Sequence, residues 1–156
     1  MEIIELNERN NLFEKAVYVF WQQWGNDNNF KFYEDAMIHS RSDSAELPCF
    51  YVAIEDGDII GTYALLRNDL NSRQDLCPWL ACLFVNDKCR GRGIGAELLR
   101  HGLQQAAKKG YDKLYLSTNL DGYYEKYGWQ NSGIVYGASG DCIKLYEKDT
   151  DVRTSE

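Results

Sequence analysis

Pro78-Trp79-Leu80-Ala81-Cys82-Leu83-Phe84-Val85, then Asn86-Asp87-Lys88-Cys89, then Arg90-Gly91-Arg92-Gly93-Ile94-Gly95: this stretch decides the fold. The run from Trp79 to Val85 is apolar without alternation, so it reads as a strand covered on both faces and central in its sheet. Beyond it, Ile94, Leu98, Leu99, Leu103, Ala106 and Ala107 recur at helical spacing, with Lys108-Lys109 at the negative end of the dipole and Gly110 as the stop. The glycine segment therefore joins a buried strand to a helix N-terminus, where backbone N–H groups lack partners and the macrodipole is positive. A phosphate is the natural ligand there. Glycines let the backbone curl around it and remove side chains that would hold it away. Three glycines at alternate positions, interleaved with two arginines, exceed what an ordinary strand-to-helix turn needs.

On the N-terminal side, Glu2–Leu6 reads as a short strand. Leu12, Ala16, Phe20 and Trp24 then make a helical stripe stopped by Gly25, and a weaker helix runs from Phe30 to about Ser40. Cys49–Glu55 alternates, with Phe50, Val52 and Ile54 on one face; Asp56-Gly57 is a hairpin turn, and Ile59–Leu66 is the returning strand. Asn68–Asp75 is a polar connection. On the C-terminal side, Lys113–Thr118 is a strand, Asp121–Tyr127 a short helix ended by Gly128, and two more strands follow. The expected order, β-α-α-β-β-β-α-β-α-β-β, is an α/β fold with a mixed sheet and helices on both faces. Residues 1–148 are expected to form one domain and 149–156 a polar, frayed tail.

Composition removes other classes. The 156 residues carry 17 Lys+Arg against 24 Asp+Glu, a net charge of −7, with no basic stripe of the kind duplex binding requires. The longest apolar run, Ala16–Trp21, is far short of the ~20 residues that span a bilayer, and Met1-Glu2-Ile3-Ile4-Glu5 has no basic leader region. The expectation is a cytoplasmic protein without nucleic-acid or membrane partners. The five cysteines, Cys49, Cys77, Cys82, Cys89 and Cys142, show no C-x-x-C spacing, and His39 and His101 are the only histidines, so neither a disulfide framework nor a metal site is expected.

Two ligand readings of the glycine segment compete. Gly91-Arg92-Gly93-Ile94-Gly95-Ala96 formally fits the dinucleotide pattern G-x-G-x-x-A, with Asp112 about 20 residues on, which would make a nicotinamide-dependent oxidoreductase. Against it, Asn86–Arg90 intervenes between strand and glycines, and Asp112 precedes the next strand instead of ending it. The segment also resembles the cofactor loop of the GNAT superfamily of N-acetyltransferases, Gln/Arg-x-x-Gly-x-Gly/Ala, at every position from Arg90 to Gly95. The resemblance extends to Leu83-Phe84-Val85 before the loop and to Tyr123-Tyr124-Glu125-Lys126-Tyr127-Gly128-Trp129 after it, and the element order agrees over nearly the whole chain.

The resemblance implies acetyl-CoA as co-substrate. Its pyrophosphate would lie on the loop formed by Arg90, Gly91, Arg92, Gly93, Ile94, Gly95 and Ala96, and its pantetheine would pair strand-like with Leu83, Phe84 and Val85. A cofactor contact would fall to Asn119, five residues before Tyr124 where the family often has seven, with Gly122 at the usual Ala position. Tyr124 stands at the family's general-acid position, protonating the CoA thiolate as it leaves. The acceptor is expected to be a primary amine of a small molecule or peptide. Trp21, Trp24, Phe30, Phe32 and Tyr33 are candidates to wall its pocket, and Asp27, Glu34 and Asp35 to attract its charge. A homodimer is compatible with this reading.

A lysine-like ammonium of pKa ~10.4 lies ~3.4 units above pH 7, about 4.6 kcal/mol, so something must accept its proton. The strand Trp79–Val85 holds no carboxylate; Asp75, Glu46 or water are the candidates. A CoA-binding regulatory domain without turnover remains the third class.

Overall fold

The computed structural model describes residues 1–7, 11–40 and 46–150. Seven strands form a mixed sheet in the order β1-β2-β3-β4-β5-β7-β6: β1 Glu2–Glu5, β2 Cys49–Glu55, β3 Asp58–Leu66, β4 Trp79–Val85, β5 Lys113–Thr118, β6 Gln130–Tyr136 and β7 Cys142–Asp149. Among the described residues three α-helices accompany them: α1 Phe13–Trp24, α2 Phe30–Ile38 and α3 Ile94–Lys108. The chain divides into two compact units, Met1–Ala64 with Cys82–Leu98, and Leu65–Ala81 with Leu99–Glu156.

In the first unit, β1 pairs antiparallel with β2 from Glu2↔Ile54 to Glu5↔Tyr51. The alternation in β2 implied one buried face, but every residue from Cys49 to Ala53 is buried. The reason is cover on both sides: Phe50 meets Phe20 of α1 edge-on at 5.3 Å, and Tyr51, on the other face, stacks on Tyr63 of β3 at 4.5 Å. Asp56 (φ 53°) and Gly57 (φ 82°) are both left-handed, as a type I′ hairpin requires. Gly25 does end α1, but not as a left-handed cap. Its φ is −90°, and a Cβ there would overlap Trp21 and the Asn29 side chain, so glycine is needed for space.

The strand β4 departs from expectation in its second half. Trp79–Ala81 are buried as a central strand should be, whereas Cys82–Val85 are only half-buried, and Cys82 takes a left-handed φ of 57°. A left-handed residue turns its peptide out of the pleat; the buried Thr62 hydroxyl donates to the Cys82 carbonyl at 2.9 Å and satisfies it.

In the second unit, β5 pairs antiparallel with β7 from Lys113↔Asp149 to Thr118↔Lys144, and β7 with β6, where the register slips between Asn131 and Gly133. The β4–β5 ladder is parallel at Trp79↔Tyr115. Trp79, Val135 and Leu145 form a buried cluster covered by Leu66, Leu76, Tyr115 and Ile143. The helix expected over Asp121–Tyr127 shrinks to a 3₁₀ turn, Tyr124–Tyr127, because Gly122 sits at φ 76° and breaks the helical run. The expected tail also starts later. The strand β7 runs through Asp149, and Thr150 is buried, donating to the Tyr111 carbonyl and, through its amide, to Asp112. Residues 151–156 lie outside the described residues.

Candidate active site

The loop–helix junction lies in the first unit. The turn Asp87–Cys89 fills the gap between β4 and the glycines; Asn86 caps it, its side chain accepting from the Lys88 amide at 3.0 Å and its own amide binding the Ile60 carbonyl at 2.8 Å. Gly91 (φ 85°) and Gly93 (φ 77°) then adopt left-handed backbone that only glycine takes without strain, and a Cβ on either would meet nothing within 4 Å. The first helical bond of α3 runs from Glu97 N–H to the Gly93 carbonyl at 3.1 Å, so the amides of Ile94, Gly95 and Ala96 come before any intrahelical partner. The result is exposed backbone from Gly91 to Gly93 at the positive end of a fifteen-residue helix. These residues fit a pyrophosphate.

One glycine of this region carried no signal in the sequence. A Cβ on Gly61 of β3 would stand 3.0 Å from both Leu98 of α3 and the Phe84 carbonyl of β4, so its absence lets the first turn of α3 seat closely. Among the binding candidates, Leu83, Phe84 and Val85 are half-buried, and Phe84 packs edge-on against Trp24 at 6.4 Å.

Both loop arginines are already paired. Arg92 makes a bidentate pair with Glu55 at the end of β2, at 3.0 and 2.6 Å, and this holds the Glu55 carboxyl below its ordinary range. Arg90 pairs with Asp87 at 2.9 Å and donates to the Val85 carbonyl at 3.3 Å. On the acceptor side, Trp21 meets Phe30 edge-on at 5.4 Å and Phe32 meets Tyr33 at 5.4 Å, while Trp24 turns toward Phe84 instead. Phe32 is largely exposed, and Asp35 faces His39 at 3.3 Å.

In the second unit the two tyrosines of the 3₁₀ turn and Tyr123, which precedes it, separate by burial. Tyr124 is buried against Trp129 at 6.3 Å and Tyr146 at 5.8 Å, whereas Tyr123 is half-buried and Tyr127 exposed. Burial pushes the Tyr124 hydroxyl up to about 12, with Tyr123 beside it adding to the shift. Tyr146 on β7 donates to Glu125 at 2.8 Å and fastens the turn to the sheet. Asn119 is exposed; its carbonyl accepts from Lys144, which also pairs with Asp121 at 2.9 Å.

Of the candidate bases, Asp75 is poorly suited. It is exposed and held at about 2 by the Arg73 guanidinium, which it binds at 2.9 and 2.8 Å. Glu46 is exposed. Asp69, which its place in the polar connection did not single out, is partly buried; burial pushes its carboxyl up to about 6 against the lowering effect of a hydrogen bond from Ser117 on β5.

The comparisons agree with this geometry. The chain is 32% identical over 90 residues to human N-acetyltransferase 8B, covering 54% of this chain and 40% of that protein. A rat N-acetyltransferase family 8 member 3 is 32% identical over 111 residues, covering 61% and 48%. The chain thus spans less than half the length of these curated relatives. An aminoglycoside 6′-N-acetyltransferase solved with coenzyme A superposes with a TM-score of 0.72 at 17% identity, over 96% of this chain and 97% of that one. A GNAT acetyltransferase from Elizabethkingia anophelis with acetyl-CoA bound does so at 0.61 and 17%, over 95% and 97%. Residues 12–129, from the first helix past the buried Tyr124 to Trp129, match the family model whose loop and turn these are, and the chain belongs to the acetyltransferase (GNAT) family.

Proposed function

We propose that the chain is an N-acetyltransferase, transferring the acetyl group of acetyl-CoA directly to a primary amine, with Tyr124 protonating the thiolate that leaves. The observation that carries the reading is the junction from Gly91 to Ala96: two left-handed glycines with open space above them, opening a helix whose first amides face outward from the fold's own hydrogen bonding. Amides and dipole hold the pyrophosphate there. The half-buried end of β4, Leu83–Val85, offers backbone to the pantetheine arm, and the irregularity at Cys82 is in keeping with a strand end given over to a ligand. Asn119 supplies a further polar contact. Tyr124 is buried, positioned by packing on two aromatic rings, and stays protonated at working pH, as a proton donor to a thiolate must. The net charge of −7 favours a cationic amine as acceptor through long-range steering.

Two measurements test this. Coenzyme A should raise the melting temperature in a concentration-dependent way while NAD does not. Thiol release from acetyl-CoA should be stimulated by at least one member of a panel holding a polyamine, an arylalkylamine, an amino sugar and a lysyl peptide. Stabilisation by NAD alone would overturn the ligand. Stabilisation by coenzyme A without thiol release would make the chain a CoA-binding domain that does not turn over.

A further inference from the structure

The polar connection between β3 and β4 is closed on itself. Asn68 accepts from the Asn71 amide at 2.9 Å, and Ser72 ties the loop to β6: its amide donates to the Tyr136 carbonyl at 2.8 Å, and its hydroxyl accepts from the Tyr136 amide at 2.9 Å. Charges of the second unit are engaged too, Arg73 with Asp75 and Lys113 with Glu147 and Asp149. A groove in the first unit is the opposite case. It lies between α1, the hairpin that joins β2 to β3, and the turn that follows β4, with a volume of about 690 Å³. Small-molecule sites fall in the range of ~300–1,000 Å³.

Two adjacent rows of α1 line the groove at i, i+4 spacing, Glu14 with Tyr18 and Lys15 with Val19. The other walls supply Asp58, at the start of β3, and Lys88 in the turn. Val19 and Ile59 are half-buried and Ile60 is buried, so the floor is apolar, while Tyr18 keeps 51% of its surface exposed. Among the described residues none of Glu14, Lys15, Asp58 and Lys88 forms an ion pair. By contrast Asp87, beside Lys88, is committed to Arg90, and Glu55, on the other strand of the hairpin, to Arg92. Two cations and two anions around an apolar floor define what complements them. A simple anion meets Glu14 and Asp58, and a simple cation meets Lys15 and Lys88. An uncharged apolar body strips water from all four charges and gives nothing back. A ligand with one ammonium and one carboxylate on an apolar body matches both pairs.

We propose that this groove is an effector site for a small zwitterion with an apolar body, an α-amino acid or short peptide of the leucine type. Its carboxylate goes to Lys15 and Lys88, its ammonium to Glu14 and Asp58, and its side chain lies over Val19 and Ile59. Each exposed charge contributes little, so binding falls in the millimolar range. The groove shares a frame with the cofactor loop. The Asn86 amide binds the Ile60 carbonyl at 2.8 Å, Glu55 holds Arg92, and Arg92 also donates to the sulfur of Cys89, which lines the groove. A ligand that bridges α1, the hairpin and the turn therefore steadies the segment from which the loop starts. Part of the ordering that CoA imposes is then complete before CoA arrives, so the two ligands favour each other. This linkage rests on the CoA reading above; binding in the groove does not.

The probes are L-leucine and L-leucyl-L-leucine, followed by isothermal titration and by ¹H–¹⁵N spectra of the ligand-free protein. At least one should bind at about 1–10 mM and move the amides of residues 58–60 and 88–89, and the tighter of the two names the source. Leucinol lacks the carboxylate and 4-methylpentanoate lacks the ammonium; each should bind at least about 5-fold more weakly than leucine. Lys15→Met should reduce the advantage of leucine over leucinol, and Glu14→Gln its advantage over 4-methylpentanoate, with CoA affinity in the absence of leucine unchanged in both. Saturating leucine should tighten CoA about two- to fivefold, and CoA should tighten leucine by the same factor. Equal binding of leucine and either half-ligand, no binding by leucine or the dipeptide, or shifts confined to other residues overturns the site. Displacement of leucine by CoA makes the groove part of the cofactor site and overturns a separate effector. Leucine binding with CoA affinity unchanged overturns the linkage. Leucine binding as described by a chain that does not bind CoA overturns the CoA reading and leaves the groove site standing.

Discussion

In the proposed transfer Tyr124 is the proton donor, and its hydroxyl is separable from its ring. Tyr124→Phe keeps the packing on Trp129 and Tyr146, so stability and CoA affinity should hardly change. A positioned acid contributes 10²–10⁴-fold, so kcat should fall by at least about 10-fold at constant KM for acetyl-CoA. Tyr123→Phe and Tyr127→Phe should lose less. Equal turnover by all three variants would make Tyr124 a packing residue. At this scale the sequence is legible where a motif carries the information and silent where the environment does. The pattern around Tyr123-Tyr124 marks the turn, but only the fold shows which ring faces inward. Asp69 reads as one more polar residue in a loop, because its burial and its partner Ser117 come from distant strands. Asp75, more conspicuous for standing next to the apolar run, is neutralised by Arg73 two residues away.

Among elements, the strands, the hairpin and the three helices follow from hydrophobic period and turn chemistry, and these are the features that local sequence encodes. What it does not encode is competition between neighbours. Gly122 cuts the expected helix to one turn, and Cys82 breaks the regularity of a strand that reads as uniform. The loop–helix junction has a similar hidden component. Its two arginines suggest a surplus of positive charge, yet Glu55 and Asp87 offset both before any ligand arrives. Backbone amides, not guanidinium groups, should then dominate phosphate binding. Glu55→Gln should release Arg92 and tighten CoA by up to about 5-fold, the small effect of an exposed ion pair, with no change for a pantetheine fragment lacking phosphate. Weaker CoA binding by Glu55→Gln in isothermal titration would instead make Glu55 a residue that positions Arg92. A valine at Gly93 is a poor probe of the same contact, because φ 77° strains it with or without ligand.

For the whole molecule, the family, the element order and the central strand are all readable from one chain, since two separated motifs and a continuous pattern of periods agree. The burial of Asp69 is not readable, because it depends on residues distant in the chain. It leaves a thermodynamic trace. The carboxyl of Asp69 is raised from 3.8 to about 6 on folding, so the folded state favours its protonated form. This contribution is neutral below about pH 4, and stability falls as pH rises from there to about 6, by at most ~3 kcal/mol. Asp69→Asn should therefore melt several degrees above wild type at pH 7–8 and alongside it below pH 4, as read by calorimetry. Asp75 works in the other direction: its carboxyl is depressed to about 2, so what its pair with Arg73 adds is present above pH 4 and fades toward pH 2. An advantage of Asp69→Asn over wild type no greater at pH 8 than at pH 4 would mean that burial does not raise the Asp69 carboxyl. The anchoring of the Asp69 loop has one more consequence, for the sheet as a polymer template. In the strand order β6 is terminal, and an exposed terminal strand invites another chain to add to it. Ser72 takes both the carbonyl and the amide of Tyr136, and the slip between Asn131 and Gly133 bends the rest out of register. The loop that carries Asp69 and the left-handed Leu70 thus also occupies the sheet's terminal strand at Tyr136, where an added chain would otherwise pair.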